Sequence, residues 1–150
     1  MRPNPHPRVV FAKGTRVVKN AVRAVVYSPN EARAEWVERE LAHEELMIQI
    51  CRGVREIIAA LVDDPAPRPQ ILVVDFDALD PGAILELHSI RERGWTGTVF
   101  ALGKVPVGIR KSLHIEQVLA TLVDNTLRIA VAEIGFEKQT RRLPVLSVTP

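Results

Sequence analysis

Short apolar runs alternate with amphipathic segments through most of this chain of 150 residues. Runs that are rich in Val, Ile and Leu and bounded by turn residues predict β-strands. These runs occupy residues 21–27, 47–51, 70–75, 98–103 and 116–120. After each run, apolar residues recur at helical spacing, as at Val54, Ile57, Ile58, Leu61 and Val62. The pattern therefore predicts five strands that alternate with five helices.

This alternation determines the expected architecture. Strands that alternate with helices form parallel sheets with helices on both faces. Five such units between residues 21 and 136 fit an α/β, flavodoxin-like, doubly wound sheet of five parallel strands in the order 2-1-3-4-5. Ser28, Pro29 and Glu31 predict a capping box for the first helix, with Ser28 as the cap. We expect that helix to extend to about Leu46.

The central run carries the candidate chemistry. Its aliphatic residues are continuous, which is typical of a strand buried on both faces. Three carboxylates, Asp75, Asp77 and Asp80, follow within six residues, and Pro81 comes directly after them. Ligands of open α/β sheets bind outside the carboxyl ends of the strands, so these acids mark the candidate site.

The two ends of the chain differ from its body in charge. Residues 1–23 carry six basic side chains and no acidic one, whereas residues 24–136 carry 11 basic and 17 acidic ones. We therefore divide the chain into a basic arm at residues 1–20, a folded domain at 21–136 and a basic tail at 137–150. Two β-prone runs around Gly14 predict a hairpin or short edge strands in the arm. The arm would dock on the acidic body, on a second copy or on an anionic partner.

Composition limits the classes of function. The hydrophobic content of 47% supports a packed core, and no apolar run has the length of a membrane span. The single cysteine, Cys51, excludes an internal disulfide and a cysteine zinc cluster. The histidines are scattered, and no dinucleotide fingerprint or helix-turn-helix is found. We expect a cytoplasmic protein without a cofactor, a metal, a transmembrane segment or sequence-specific nucleic-acid binding.

The element order, the spacing and the segment Gln70–Asp75 resemble the receiver domain of bacterial two-component response regulators, whose fold is CheY-like. The resemblance covers residues 21–136 and places Asp75 at the position of the phospho-accepting aspartate. Leu79–Gly82 is similar to the loop and proline that follow that aspartate in the family. The resemblance implies a signalling protein with protein partners in a bacterial pathway. A second copy of the chain is one of the candidate partners.

Four positions depart from the receiver pattern. Tyr27 and Ser28 stand where the family has an acidic pair that holds Mg²⁺. Gly103 replaces the Thr or Ser that contacts the phosphoryl group, and Thr121 replaces a lysine. Phosphoryl transfer depends on cations that neutralise the developing charge, and on this pattern Asp75 has no charge partner. We therefore interpret the chain as a non-catalytic pseudo-receiver.

Other interpretations assign different roles to the acids. In one, Asp75 accepts a phosphoryl group in an atypical response regulator. In another, Asp75-Phe76-Asp77 resembles the first motif of haloacid-dehalogenase-type phosphohydrolases, although that family's Ser or Thr and second acidic pair are not at the expected positions. In the third, Asp75 marks the strand end, Asp77 is a loop acid and Asp80 shapes the turn before Pro81.

The resemblance also indicates a partner surface. In receivers the fourth helix, the fifth strand and the fifth helix mediate dimerisation and output. In this chain they correspond to residues 106–113, 116–120 and 123–136, and the exposed charges expected there are Arg110, Lys111 and Arg128. Edge strands of the arm are a second candidate surface, since unpaired strand edges recruit other strands.

Overall fold

The computed structural model describes residues 8–11, 22–42, 44, 46–63 and 68–134. Its strands are β1 (Arg8–Phe11), β2 (Val22–Tyr27), β3 (Leu46–Cys51), β4 (Ile71–Asp75), β5 (Thr98–Leu102) and β6 (Ile115–Leu119). Its helices are α1 (Glu31–Leu41), α2 (Val54–Ile58), α3 (Pro81–Glu92), α4 (Val107–Ser112) and α5 (126–134). A π-helical turn, Ala59–Asp63, extends α2, and a 3₁₀ turn, Phe76–Ala78, follows β4.

The sheet has the predicted order. Its six strands run β1-β3-β2-β4-β5-β6, and the five from β2 to β6 pair in parallel. Counted among themselves, these five give the order 2-1-3-4-5, which confirms the doubly wound fold. β1 adds a sixth, antiparallel strand at the edge, where Arg8 pairs with Ile50 and Phe11 with Met47. The second half of the predicted hairpin and the tail at 137–150 lie outside the described residues.

β4 is buried along its whole length because helices cover both faces of the sheet. Its side chains alternate between two cores, as strand geometry requires. Leu72 and Val74 pack with α2 and α3, while Ile71 and Val73 pack with α1 and α5. The carboxyl end of this doubly covered strand is therefore held rigidly, and Asp75 with it.

α1 is shorter than predicted at both ends. Its cap is Asn30, whose Oδ1 accepts the Arg33 N–H at 3.0 Å, so the assignment of Ser28 as the cap was wrong. The helix ends at Leu41 rather than near Leu46, because Leu46 already pairs with β2 as the first residue of β3.

Two side chains of α1 bind the start of α5. The indole Nε1 of Trp36 donates a hydrogen bond to Asp124 Oδ1 at 3.0 Å. The buried carboxylate of Glu40 accepts the backbone N–H groups of Asn125 at 2.9 Å and Arg128 at 3.0 Å. Glu40 therefore satisfies N–H groups at the beginning of α5 that have no partner within that helix.

Arg91 joins several segments at the end of the sheet where β5 and β6 begin. Its guanidinium donates hydrogen bonds to the carbonyl oxygens of Leu113 and Gly97 at 2.8 Å, Trp95 at 3.2 Å and His114 at 3.4 Å. It also lies over the Trp95 ring, 5.0 Å from the centroid. One side chain thus links the end of α3 to the segments that lead into β5 and β6.

No helix in the part of the chain that the structure describes is long and apolar enough to cross a bilayer.

Candidate functional site

The structure brings two of the three predicted acids together. Asp75 ends β4 and is 2% exposed, and Asp77 lies beside it in the 3₁₀ turn. Asp80 serves a different purpose, since its Oδ1 accepts the Ala83 N–H at 2.7 Å and caps α3. The acid cluster therefore consists of Asp75 and Asp77, while Asp80 is a helix cap.

Asp75 has a charge partner, which corrects the expectation from the sequence. Arg33 Nη1 lies 2.8 Å from Asp75 Oδ1. The same oxygen accepts the Asp77 N–H at 3.1 Å, and Asp75 Oδ2 accepts the Ser28 hydroxyl at 2.9 Å. Both oxygens of this buried carboxylate are thus engaged, one of them by a cation.

The second terminal nitrogen of Arg33 binds Asp77. Arg33 Nη2 lies 3.0 Å from Asp77 Oδ2, and Asp77 Oδ1 accepts the Lys104 N–H at 3.0 Å. One guanidinium therefore bridges two carboxylates, a geometry that its planar fork permits. Burial opposes the charge on Arg33, but the hydrogen bond that Arg33 donates to Asp77 and the charge of Asp75 raise its pKa.

Gly103 is required by the closeness of Asp77. Its backbone has a φ of +84°, and a Cβ added there would lie 2.4 Å from Asp77 Cγ. Glycine is the residue that adopts this conformation without strain and leaves this space. Where the receiver pattern has a hydroxyl-bearing side chain, this chain has the carboxylate of Asp77.

Asp77 should make the stability of the protein sensitive to acid. The hydrogen bond from the Lys104 amide, helped by Arg33, lowers the pKa of Asp77 below its usual 3.8. A lowered folded-state pKa contributes stability above the unfolded value, and this contribution is lost as the pH falls through the folded value. We expect wild-type protein to lose more unfolding free energy than Asp77→Asn between about pH 5 and pH 2. Solvent moderates the difference, since the Asp77 side chain is 44% exposed.

Chemical denaturation of both proteins at a series of pH values would measure this difference. Equal slopes for the two proteins would contradict the electrostatic role assigned to Asp77.

Tyr27 opens onto a neighbouring groove instead of the acid cluster. The groove has a volume of about 470 Å³, lies between α2 and α3, and includes Tyr27, Asp80 and Glu86 in its lining, but neither Asp75 nor Asp77. Burial, followed by the charges of Asp75 and Asp80, raises the pKa of the Tyr27 hydroxyl. At neutral pH this position therefore supplies a neutral hydroxyl, where the receiver pattern has a carboxylate.

The residues present do not fit the Mg²⁺ that the resemblance implies. The ion prefers several oxygen ligands, usually including carboxylates. All four carboxylate oxygens of Asp75 and Asp77 already accept hydrogen bonds from the protein. Among the described residues, no group of three or more His, Cys, Asp or Glu is placed to hold a metal. Thr121, which the resemblance aligns with the lysine of receiver domains, is exposed beyond the end of β6.

Two contributors to the cluster, Arg33 and Lys104, were missed from the sequence. The available signal was the place of Arg33 in the first turn of α1. The helix dipole disfavours a cation in the first turn. A basic residue at this position therefore suggests that a carboxylate outside the helix lies near it. In a parallel α/β sheet, the beginning of α1 lies at the carboxyl ends of the strands, beside Asp75.

The three charged residues of the predicted partner face differ in exposure. Arg110 and Lys111 are exposed on α4, a helix without a fully buried residue. Arg128 is half-buried instead, and its Nε donates to Asn125 Oδ1 at 3.1 Å. Among apolar side chains, Val107 of α4 is 90% exposed, and Val123 and Ile129 are also exposed.

No protein-family model and no curated protein matches the sequence. Solved structures do match. A two-component response regulator from Legionella pneumophila is 19% identical over 75% of this chain and 96% of its own, with a TM-score of 0.60. The beryllofluoride-activated NtrC receiver domain is 19% identical over 76% and 93%, with a TM-score of 0.58. A response regulator receiver protein from Burkholderia phymatum is 18% identical over 76% and 95%, with a TM-score of 0.57. Together with the strand order, these matches establish that the chain has the fold of response regulator receiver domains.

Proposed function

We propose that this protein is a non-catalytic pseudo-receiver that acts in signalling by binding a protein partner. The observation that carries the proposal is the state of Asp75, whose two oxygens are occupied by Arg33, Ser28 and the Asp77 amide. A carboxylate that attacks phosphorus needs a free oxygen and nearby cations for the transferred group. Here the guanidinium of Arg33 is already bound to two carboxylates, and the acid next to it would repel an incoming phosphate.

The proposal that the protein binds a partner is supported by the surface of α4 and its flanking residues. Residues 104–114 include Lys104, Arg110 and Lys111 and no acidic residue. The exposed side chain of Val107 lies on the same short helix. A protein surface with acidic groups around an apolar contact would complement this combination. Two copies that met through α4 would bring like charges together, so we propose a different protein as the partner.

A capture experiment tests this face. We expect tagged wild-type protein to retain a specific partner from its native cells, and the double variant Arg110→Glu, Lys111→Glu to retain at least about tenfold less, because reversed charges oppose the complementary surface. The control is Arg39→Glu, which reverses an exposed charge on α1, on the other side of the sheet. Quantitative mass spectrometry of the retained proteins gives the ratio.

Two results would contradict the proposal in different ways. Equal capture by the double variant would show that the face is wrong, and capture of a second copy of the chain would show that the partner is. A phosphoryl adduct formed from acetyl phosphate and Mg²⁺, and absent from Asp75→Ala, would overturn the non-catalytic assignment itself.

A further inference from the structure

α1 connects two places in the molecule that are otherwise separate. Arg33, in its first turn, binds the acid cluster at the end of β4. Trp36 and Glu40, three and seven residues later, bind the residues that begin α5. The spacing of i, i+3 and i+7 places all three side chains on one side of the helix. The acid cluster and the start of α5 are therefore joined by a single rigid element.

We propose that Arg33 is a permanent counter-ion of the acid cluster and that, through α1, it holds the start of α5 in one arrangement. A dissociable ion or a transferable group allows a site two states, because the site exists with and without it. The guanidinium is covalently part of α1 and cannot leave. These residues do not fit a divalent cation because the site already contains a cation, the guanidinium of Arg33.

The cost of moving α1 supports this inference. If α1 shifted away from β4, Asp75 would lose its charge partner, and the guanidinium would no longer separate it from the like charge of Asp77. Leaving a buried charge unpaired is strongly unfavourable. The same shift would withdraw the buried carboxylate of Glu40 from two backbone N–H groups, those of Asn125 and Arg128. The contacts at both ends of α1 therefore oppose the movement. Loss of the contact between Arg33 and the acid cluster should weaken the contact between Glu40 and the start of α5.

The coupling lies inside the molecule and does not depend on the partner face. A change at Arg33 should therefore affect residues 125–128, although Arg33 makes its hydrogen bonds and ion pairs to Asp75 and Asp77. A purely local ion pair would affect the acid cluster alone.

Amide hydrogen exchange on the full chain tests the coupling. In Arg33→Met, we expect the Asn125 and Arg128 amides to exchange about tenfold faster than in wild type, after normalisation to amides of β4, which report global unfolding. Glu40→Gln should accelerate the same two amides directly. Arg39→Met is the matched control, since it removes an exposed arginine from the same helix, and it should change neither.

If Arg33→Met does not fold, Arg33→Lys retains the charge but not the fork, and a smaller acceleration at the same amides is expected. Unchanged normalised exchange at Asn125 and Arg128 in the folded Arg33 variant would overturn the coupling. A titration of wild-type protein with millimolar Mg²⁺, followed by amide NMR, should leave Ser28, Asp75 and Asp77 unshifted. Saturable shifts there would overturn the assignment of Arg33 as a permanent counter-ion.

Discussion

Replacement of Arg33 by Met should lower the free energy of unfolding by about 3 kcal/mol, since breaking a buried ion pair leaves the remaining charge unpaired. Asp75 is 2% exposed and Arg33 28%, so solvent reaches only one side of the pair. Methionine retains most of the aliphatic stem, so the change removes chiefly the charge and its hydrogen bonds. Urea denaturation of the two proteins at neutral pH measures the difference.

Two variants give this measurement its controls. Arg39→Met should change stability by no more than about 0.5 kcal/mol, because an exposed arginine is removed from the same helix. Combining Arg33→Met with Asp75→Asn should recover part of the loss, since the buried charge is then absent. A loss below about 1 kcal/mol in Arg33→Met would mean that the ion pair contributes no more than a surface pair does.

Arg91→Met should destabilise the protein by a similar amount, about 3 kcal/mol, through a different cause. Four backbone carbonyl oxygens lose a charged donor, and Trp95 loses the guanidinium over its ring. Thermal unfolding followed by circular dichroism would show the shift in midpoint. Arg93→Met is the neighbouring control, because Arg93 pairs with Asp63 on the surface, and its loss should cost less than about 1 kcal/mol. Equal effects of the two substitutions would show that the backbone contacts of Arg91 are not the cause.

The sequence predicted the sheet well because the pattern of β4 has only one good explanation. Continuous aliphatic residues need cover on both faces, and the alternation with helices supplies that cover in a parallel, doubly wound order. Element limits were less accurate. Ser28 and Asn30 are both good helix caps, and local pattern does not choose between them. The choice is made by tertiary structure, because Asp75 takes the Ser28 hydroxyl.

The acid cluster was only half predictable for a related reason. Asp75 and Asp77 follow β4 directly in sequence, so the strand pattern locates them. Arg33 lies 42 residues earlier, and only the register of α1 against β4 brings it to Asp75. The amide of Lys104 contributes through its backbone, which no side-chain motif can reveal. Motif positions therefore indicate which receiver residues are absent from this chain, but they do not reveal that Arg33 and the Lys104 amide bind the acids instead.

β1 has a consequence for the behaviour of the protein in concentrated solution. An uncovered outer edge of β3 would present a row of unpaired N–H and C=O groups, the kind of edge along which sheets of different molecules join and aggregate. β1 occupies that edge across four residue pairs, from Arg8 with Ile50 to Phe11 with Met47. The edge strand on that side is therefore β1, which has four residues where β3 has six, and very short edge strands are one way in which natural sheets limit pairing between molecules.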